Sequence, residues 1–168
     1  MRLIALSLTL LIATPAGAAA PWVLTPQGLG PVRLGMTPEQ VAQVAGKPVN
    51  LDESGSDDPK DCAVVEMPGH DGVDLLFESA RLTAIWLYKP ARYKTARNIG
   101  VGAKDSAVAA AYPQAIKGPA DYDDVPAANF LVWEKKDVLG LLFRTDETRK
   151  VVSIAAGTDS IEYMEGCS

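Results

Sequence analysis

Histidine and cysteine are scarce in this chain of 168 residues, which contains one histidine and two cysteines. The sequence therefore has no His-x-x-x-His pair, no Cys-x-x-Cys pair and no Gly-x-Ser-x-Gly nucleophile elbow. The chain thus lacks the residues that metalloenzymes and serine hydrolases built on these motifs require. We predict a protein that is not an enzyme and that needs no cofactor and no metal ion.

Basic residues are also in deficit, with 16 lysines and arginines against 21 acidic residues and a net charge of −5. Because phosphate binding needs a positive surface, this balance argues against nucleic acid as a partner. The hydrophobic share of 48% and the charged share of 22% are those of ordinary globular proteins. At this length we expect one domain with a sizeable hydrophobic core.

Long hydrophobic runs are missing except at the amino terminus. There an apolar run at residues 3–13 follows an arginine and precedes Pro15 and a tract of small residues. The run is shorter than the roughly 20 apolar residues of a membrane-spanning helix, and its order is that of a secretory signal peptide. We predict a signal peptide at residues 1–19, cleaved after Ala18 or Ala19. The alternative is a buried amino-terminal helix.

The mature chain, residues 20–168, would carry 15 basic and 21 acidic residues, a net charge of −6. No cysteine follows the apolar run directly, so we expect neither a lipid anchor nor a membrane span. These features predict a soluble protein that is periplasmic or secreted.

Both cysteines, Cys62 and Cys167, lie in the predicted mature chain. Two cysteines allow one intramolecular pairing, and an oxidising compartment favours it. Closing a loop of about 100 residues stabilises a fold by roughly 4 to 5 kcal/mol on the chain-entropy model. We predict a Cys62–Cys167 disulfide. The alternative is a catalytic thiol, for which His70 is the sole histidine that could serve as a base.

Three pairs of similar segments occur in the same order at a spacing of 66 to 69 residues. Residues 34–42 align with 101–109, 74–77 with 140–143, and 81–85 with 150–154. This self-similarity predicts an α+β fold, a tandem repeat of a helix packed on a small antiparallel sheet. The two repeats would span about 30–90 and 98–157 of a single compact unit, with a C-terminal tail after them.

Local signals in each half agree with this order of elements. Thr37, Pro38 and Gln40 form the pattern of a capping box with proline at the first helical position. In the second half Asp105 or Ser106 can cap the corresponding helix. Runs that are typical of strands follow each helix and are separated by turn residues, at 63–67, 73–79, 82–88, 129–135, 138–145 and 151–156.

One segment of the first half carries a family resemblance. The sequence G-P-V-R-L-G-M-T-P-E-Q-V at residues 30–41, followed by G-K-P at 46–48, resembles the opening of exported bacterial modules of the SmpA/OmlA (BamE) type. Two such units in one exported chain also resemble the fold of the beta-lactamase inhibitory protein. That resemblance implies a concave surface that binds another protein. The chain departs from the lipoprotein family because it lacks the lipidated cysteine.

Two other features are candidate sites. His70 lies in the turn sequence G-H-D-G, where Asp71 could orient its ring, but a solvated loop histidine is the simpler interpretation. Acidic residues cluster at 52–61 and at 121–124, and carboxylates on a loop can bind calcium. Neither cluster has the spacing of an EF-hand, so a solvated loop is favoured for both.

Aromatic side chains supply the candidate binding residues. Along the strand at 82–88, strict alternation places Trp86 and Tyr88 on the face opposite to the predicted core, and Trp133 joins them in one of two registers. Tyrosine and tryptophan on an open sheet face are good anchors for a protein partner. The alternative is that they pack against the other repeat or against the segment around Trp22.

The sequence thus predicts an exported protein-binding module whose partner is another envelope or secreted protein, as an inhibitor or an assembly factor. The alternative function is a periplasmic protein that binds a small molecule in the groove between repeats, or calcium through its acidic loops.

Overall fold

The computed structural model describes residues 21–121, 124–163 and 166–167. The predicted signal peptide at residues 1–19 lies outside the described residues. Over the described part the chain forms eleven strands, two α-helices and two 3-10 helices. In chain order they are β1 (Val23–Thr25), β2 (Gly28–Leu29), β3 (Val32–Arg33), α1 (Pro38–Ala45), the first 3-10 helix (Leu51–Ser54), β4 (Cys62–Glu66), β5 (Val73–Glu78), β6 (Arg81–Leu87), β7 (Lys94–Thr95), α2 (Asp105–Ala111), β8 (Ile116–Pro119), β9 (Ala128–Lys135), β10 (Leu139–Thr145), β11 (Val151–Gly157) and the second 3-10 helix (Asp159–Glu162).

The strands form two sheets. The larger sheet has seven antiparallel strands in the order β4-β5-β6-β11-β10-β9-β8. The smaller sheet has the order β3-β2-β1-β7, in which β1 and β7 run parallel. Within the described ranges neither α-helix is long and apolar enough to cross a membrane.

The predicted α+β tandem repeat of a helix on a small sheet is wrong. Most of the regular structure is strand, and the two α-helices of the described chain have eight and seven residues. The strands of the two predicted repeats lie in one sheet, because β6 and β11 pair directly, with Ile154 opposite Leu87 and Ala156 opposite Ile85. Four strands of two or three residues build the second sheet, which the prediction lacked.

Helix α1 begins where the capping-box pattern predicts. The Thr37 side chain accepts a hydrogen bond from the backbone N–H of Gln40, whose side chain accepts one from the backbone N–H of Thr37 in return. Gly46 ends the helix in the left-handed conformation, with φ of 70°, which glycine adopts at little cost. Helix α2 differs, because its N-cap is Lys104 without a side-chain hydrogen bond, and the Asp105 carboxylate is buried and paired with Arg149.

The inner face of the seven-stranded sheet and part of its outer face are covered, by different parts of the chain. The inner face packs against the helices and the small sheet and forms the main core, whose fully buried side chains include Phe77, Phe143, Ile85, Ile154, Leu24, Leu29, Val41 and Val108. The outer face forms a second, smaller cluster, which consists of Leu76, Ala84, Trp86, Leu142, Ala155 and Ile161.

Candidate binding surface on the outer sheet face

One half of the outer face is covered by the C-terminal segment, here residues 159–163 and 166–167. The second 3-10 helix lies against β6, β10 and β11 and inserts Ile161, which is fully buried. Further on, Cys167 is bonded to Cys62 at the start of β4, with a Cα–Cα distance of 5.5 Å. The predicted disulfide is therefore confirmed, and it fixes the end of the described chain over this half of the face.

Trp86 lies beneath this segment and is only 4% exposed. A Cβ atom built on Gly166 would lie 3.5 Å from Cη2 of the indole ring, so the segment passes directly over it. Its Nε1 has no hydrogen-bond partner among the described residues. The alternation predicted the correct face for Trp86, but burial removes the side chain from the accessible surface.

The other two predicted binding residues are more accessible. Tyr88, just past the end of β6, is 38% exposed. Burial raises the pKa of its hydroxyl, Asp74 raises it further, and Arg144 lowers it. Trp133 is half-buried at the edge of the outer cluster, opposite Gly140 on β10. A Cβ at that glycine would lie 2.7 Å from Cε3 of the indole, so glycine makes room for the ring there.

The other half of the outer face is open. Leu142, Leu131 and Ile116 lie directly opposite one another on β10, β9 and β8. The exposed fraction rises along this row from 4% at Leu142, beside the C-terminal segment, to 61% at Ile116 on the edge strand. The row forms the floor of a groove of about 260 Å³, here called the open groove, lined by Ile116, Gly118, Pro119, Asp121, Asn129, Leu131, Leu142, Arg144 and Glu162.

A network of hydrogen bonds fixes the rim of the open groove. Arg144 donates from Nε to Oδ2 of Asp121 at 3.0 Å and from Nη2 to the carbonyl oxygens of Ile161 and Tyr163. Asn129 donates from Nδ2 to the other carboxylate oxygen, Oδ1 of Asp121, also at 3.0 Å. The same arginine thus ties the rim to the C-terminal segment, so the groove is preorganised.

Sequence reasoning missed the residues that build this groove. Strand β8 is four residues long and contains Gly118 and Pro119, which disfavour strands, so neither length nor alternation marks it. Arg144 was detectable, because residues two apart on β10 share a face and Leu142 belongs to the outer cluster. For Asp121 the sequence favours a solvated loop, with calcium binding as the alternative, whereas here it pairs with Arg144.

The acidic loops show no calcium geometry in the part of the chain that is described. No group of three or more histidine, cysteine, aspartate or glutamate side chains there lies close enough to hold a metal ion. In the first loop, Oδ1 of Asp58 accepts hydrogen bonds from the backbone N–H groups of Lys60 and Asp61. In the second loop, Asp123 lies outside the described residues.

His70 is part of an aromatic cluster rather than a solvated loop side chain. Its Nδ1 lies 2.6 Å from the hydroxyl oxygen of Tyr93, within hydrogen-bond distance, and its ring centroid is 4.3 Å from that of Trp22. Burial lowers the pKa of His70, and burial raises the pKa of Tyr93. The cluster fastens the start of β1 to the turn between β4 and β5, and Asp71 is not the hydrogen-bond partner of the imidazole.

A second concavity lies between the small sheet and the inner face of the large one. This crevice of about 230 Å³ has an apolar floor and a polar rim, and its lining includes Leu24, Tyr112, Val132, Leu141, Arg97 and Glu134. The guanidinium of Arg97 lies over the ring of Tyr112, 4.9 Å from its centroid, and donates to the carbonyl of Ala111.

Comparison with known proteins gives no match to a protein-family model, to a curated protein or to a solved structure. The resemblance to SmpA/OmlA (BamE) modules therefore stays a prediction from the residues that carry it.

Proposed function

We propose that this chain is an exported, non-enzymatic protein-binding module that holds another envelope or secreted protein in the open groove. The observation that carries the proposal is the row from Leu142 to Ile116, whose side chains become more exposed toward the edge of the sheet. A single exposed isoleucine on a surface is ordinary, but one that extends a buried apolar row adjoins a site that a partner can fill.

The expected contribution of the isoleucine is modest. Ile116→Ala removes three carbon atoms, each worth about 0.8 kcal/mol when fully buried, from a side chain that is already partly covered. A loss of about 1.4 kcal/mol corresponds to a tenfold change in the dissociation constant. We therefore expect Ile116→Ala to weaken binding by about tenfold, with little effect on the stability of the free protein.

Photocrosslinking tests the proposal directly. p-Benzoylphenylalanine is placed at Ile116, and separately at Val138, which is 45% exposed in the turn between β9 and β10. After irradiation in the cells that make the protein, position 116 should give a discrete crosslinked product. An untagged competitor protein that carries Ile116→Glu should fail to reduce the amount of this product. The proposal is wrong if position 116 gives no product, or the same products as position 138.

Export is part of the proposal, and the confirmed disulfide supports it because disulfides persist in oxidising compartments. Cell fractionation and amino-terminal sequencing of the purified protein test it. The expected mature terminus is residue 19 or 20. An intact Met1 in the cytoplasmic fraction would contradict it.

The alternative function, binding of a small molecule, is favoured by the crevice at Tyr112. Its apolar floor beside the Arg97 guanidinium suits a small apolar ligand with an acidic group. Such acids are titrated into the native protein and into Arg97→Gln, and the rise in Tm is measured. This experiment separates the two functions. Stabilisation that Arg97→Gln removes, together with no crosslink at position 116, would favour the alternative.

A further inference from the structure

Strand β4 forms one edge of the seven-stranded sheet, and among the described strands it pairs with β5 alone. The carbonyl oxygen of Asp61 and the N–H of Met67, which flank β4, both form hydrogen bonds toward β5. Backbone groups alternate in direction along a strand, and the pairing of β4 with β5 has no bulge. The N–H and C=O groups of Val64 and Glu66 therefore point away from the sheet.

These outward groups are available to a further strand. At the start of β4 the outward N–H of Cys62 is occupied, because it donates to the carbonyl oxygen of Asp58 at 3.0 Å. No described residue outside the sheet bonds to the backbone of Val64 or Glu66. Together these two residues offer two donors and two acceptors, the set that an added antiparallel strand uses.

The sequence of β4 does not protect this edge. Strand β8, at the opposite edge of the sheet, contains Lys117 and Pro119, which are residue types that commonly prevent edge pairing. Strand β4 reads Cys-Ala-Val-Val-Glu and contains neither lysine nor proline. It is also longer, with five residues against four.

A groove of about 520 Å³, here called the β4 groove, runs along this edge. The segment that leads into the first 3-10 helix forms its other wall, and that helix contacts β4. The edge is thus accessible beside a wall that can contact the side chains of an added chain. The lining of the groove includes Lys47, Pro48, Glu53, Val64, Glu66 and Asp71.

Negative charge predominates in the β4 groove, where Lys47 faces the carboxylates of Glu53, Glu66 and Asp71. Glu66 lies directly opposite Asp74 of β5, on the same face of the sheet. Neither Glu66 nor Asp74 forms an ion pair with a described residue. Burial raises the pKa of Asp74, and the neighbouring Glu66 raises it further. A basic side chain beside Glu66 would relieve this repulsion.

We propose that the β4 groove is a docking site for an extended segment of another protein, which adds antiparallel to β4 and places a lysine or arginine opposite Glu66. The added strand exchanges two hydrogen bonds with Val64 and two with Glu66. Its basic side chain stands beside the carboxylates of Glu66 and Asp74, because directly opposite residues share a face. A second copy of β4 brings no such cation, since β4 contains no basic residue.

This site does not rest on the open groove. Strands β4 and β8 are the two edges of the sheet, with five strands between them, so the two surfaces can be tested separately.

Amide hydrogen exchange tests the edge and its occupant together. The ¹⁵N-labelled, oxidised protein is measured by NMR alone and with the peptide acetyl-Ser-Thr-Lys-Val-Val-Thr-Ser-amide. In the free protein the amides of Val64 and Glu66 should exchange about tenfold or more faster than those of Ala63 and Val65, which face β5. Saturating peptide should slow the first pair by about tenfold or more, while the amides of β8 keep their rates.

Variants separate backbone pairing from charge. Val64→Pro removes the outward N–H at an edge position, where proline is tolerated, and Val64→Thr is the control of similar shape that keeps the N–H. Val64→Pro should weaken peptide binding by about tenfold more than Val64→Thr does, with urea unfolding as the check that both variants fold. A peptide with glutamate in place of lysine should bind about tenfold more weakly, and Glu66→Gln should reduce that preference.

Four outcomes overturn the proposal. If the amides of Val64 and Glu66 are as protected as that of Val65 in the free protein, the edge is already paired. If about 1 mM peptide leaves their exchange unchanged, the edge is not a site for such a segment. If Val64→Pro and Val64→Thr bind the peptide equally, binding does not use the backbone. If protection rises with protein concentration in the absence of peptide, the occupant is a second copy.

Discussion

Replacing Ile161 by alanine tests whether the outer face is a true second core that the C-terminal segment completes. Ile161 is fully buried among Trp86, Leu142 and Ala155. The substitution removes three carbon atoms and leaves the cap of its 3-10 helix intact, because Thr158 still accepts the hydrogen bond from the backbone of Ser160. Any loss of stability then reports the packing of this one side chain.

The expected size follows from burial. Three carbon atoms at about 0.8 kcal/mol each give about 2.4 kcal/mol from transfer alone. The cavity that remains raises the usual cost of such a substitution to about 2–5 kcal/mol. Because the 3-10 helix is one short turn that can move toward the sheet and fill part of the space, we expect about 2–3 kcal/mol.

Urea unfolding of the oxidised protein at pH 7, followed by circular dichroism, measures this loss of free energy of unfolding. Val152→Ala, at a 39% exposed position on β11, is the matched control and should change the free energy of unfolding by about 0.5 kcal/mol or less. If Ile161→Ala costs no more than Val152→Ala, the segment is not packed on the outer face and the reasoning fails.

Three further predictions concern charge and the disulfide. Burial lowers the pKa of His70 in the folded state. The stability that neutral His70 contributes should therefore be complete above pH 6.5 and should be lost as the pH falls through the pKa of the folded state. Thermal melts of His70→Gln should lack this pH dependence. Burial raises the pKa of Asp74, so its carboxylate opposes folding near neutrality; Asp74→Asn should raise Tm at pH 7, and the gain should vanish below pH 3.8. Replacing Cys62 and Cys167 together by serine should lower the free energy of unfolding by about 4–5 kcal/mol, as a urea titration would show.

Much of the local structure was predictable because its signals are short-range. The capping box at Thr37 and the terminating Gly46 determine α1 within a few residues of chain. Six runs of strand-forming residues became the six longest strands, β4, β5, β6, β9, β10 and β11, with ends that differ by a few residues. The disulfide followed from counting, since two cysteines allow a single pairing.

The architecture was not predictable in the same way, because it depends on pairings that no local pattern encodes. The contact between β6 and β11 joins segments about 70 residues apart, and it unites the strands of both predicted repeats in one sheet. Strands of two or three residues, such as β2 and β7, are too short to show alternation. Irregular pairing between β5 and β6 also places Leu82 opposite Phe77 and in the main core, although strict alternation assigned it to the face of Trp86.

The candidate surface shows the same limit. Alternation determines which face a side chain occupies, and it was correct for Trp86. It does not show what lies over that face, which here is a segment about 80 residues further along the chain. The exposed residue of the row, Ile116, stands on a strand with no sequence signature, so its place beside Leu131 follows only from the register of β8.

Coverage of the outer face determines which part of it is accessible. A seven-stranded sheet has two faces to shield, and the helices and small sheet shield the inner one. On the outer face the C-terminal segment reaches from β4 to Leu142, and exposure increases from there to the edge. A polar side chain at Ile116 would suit an exposed edge strand better, since natural edges are commonly charged. An isoleucine that extends a buried apolar row to the edge is what the proposed contact with a partner expects at this position.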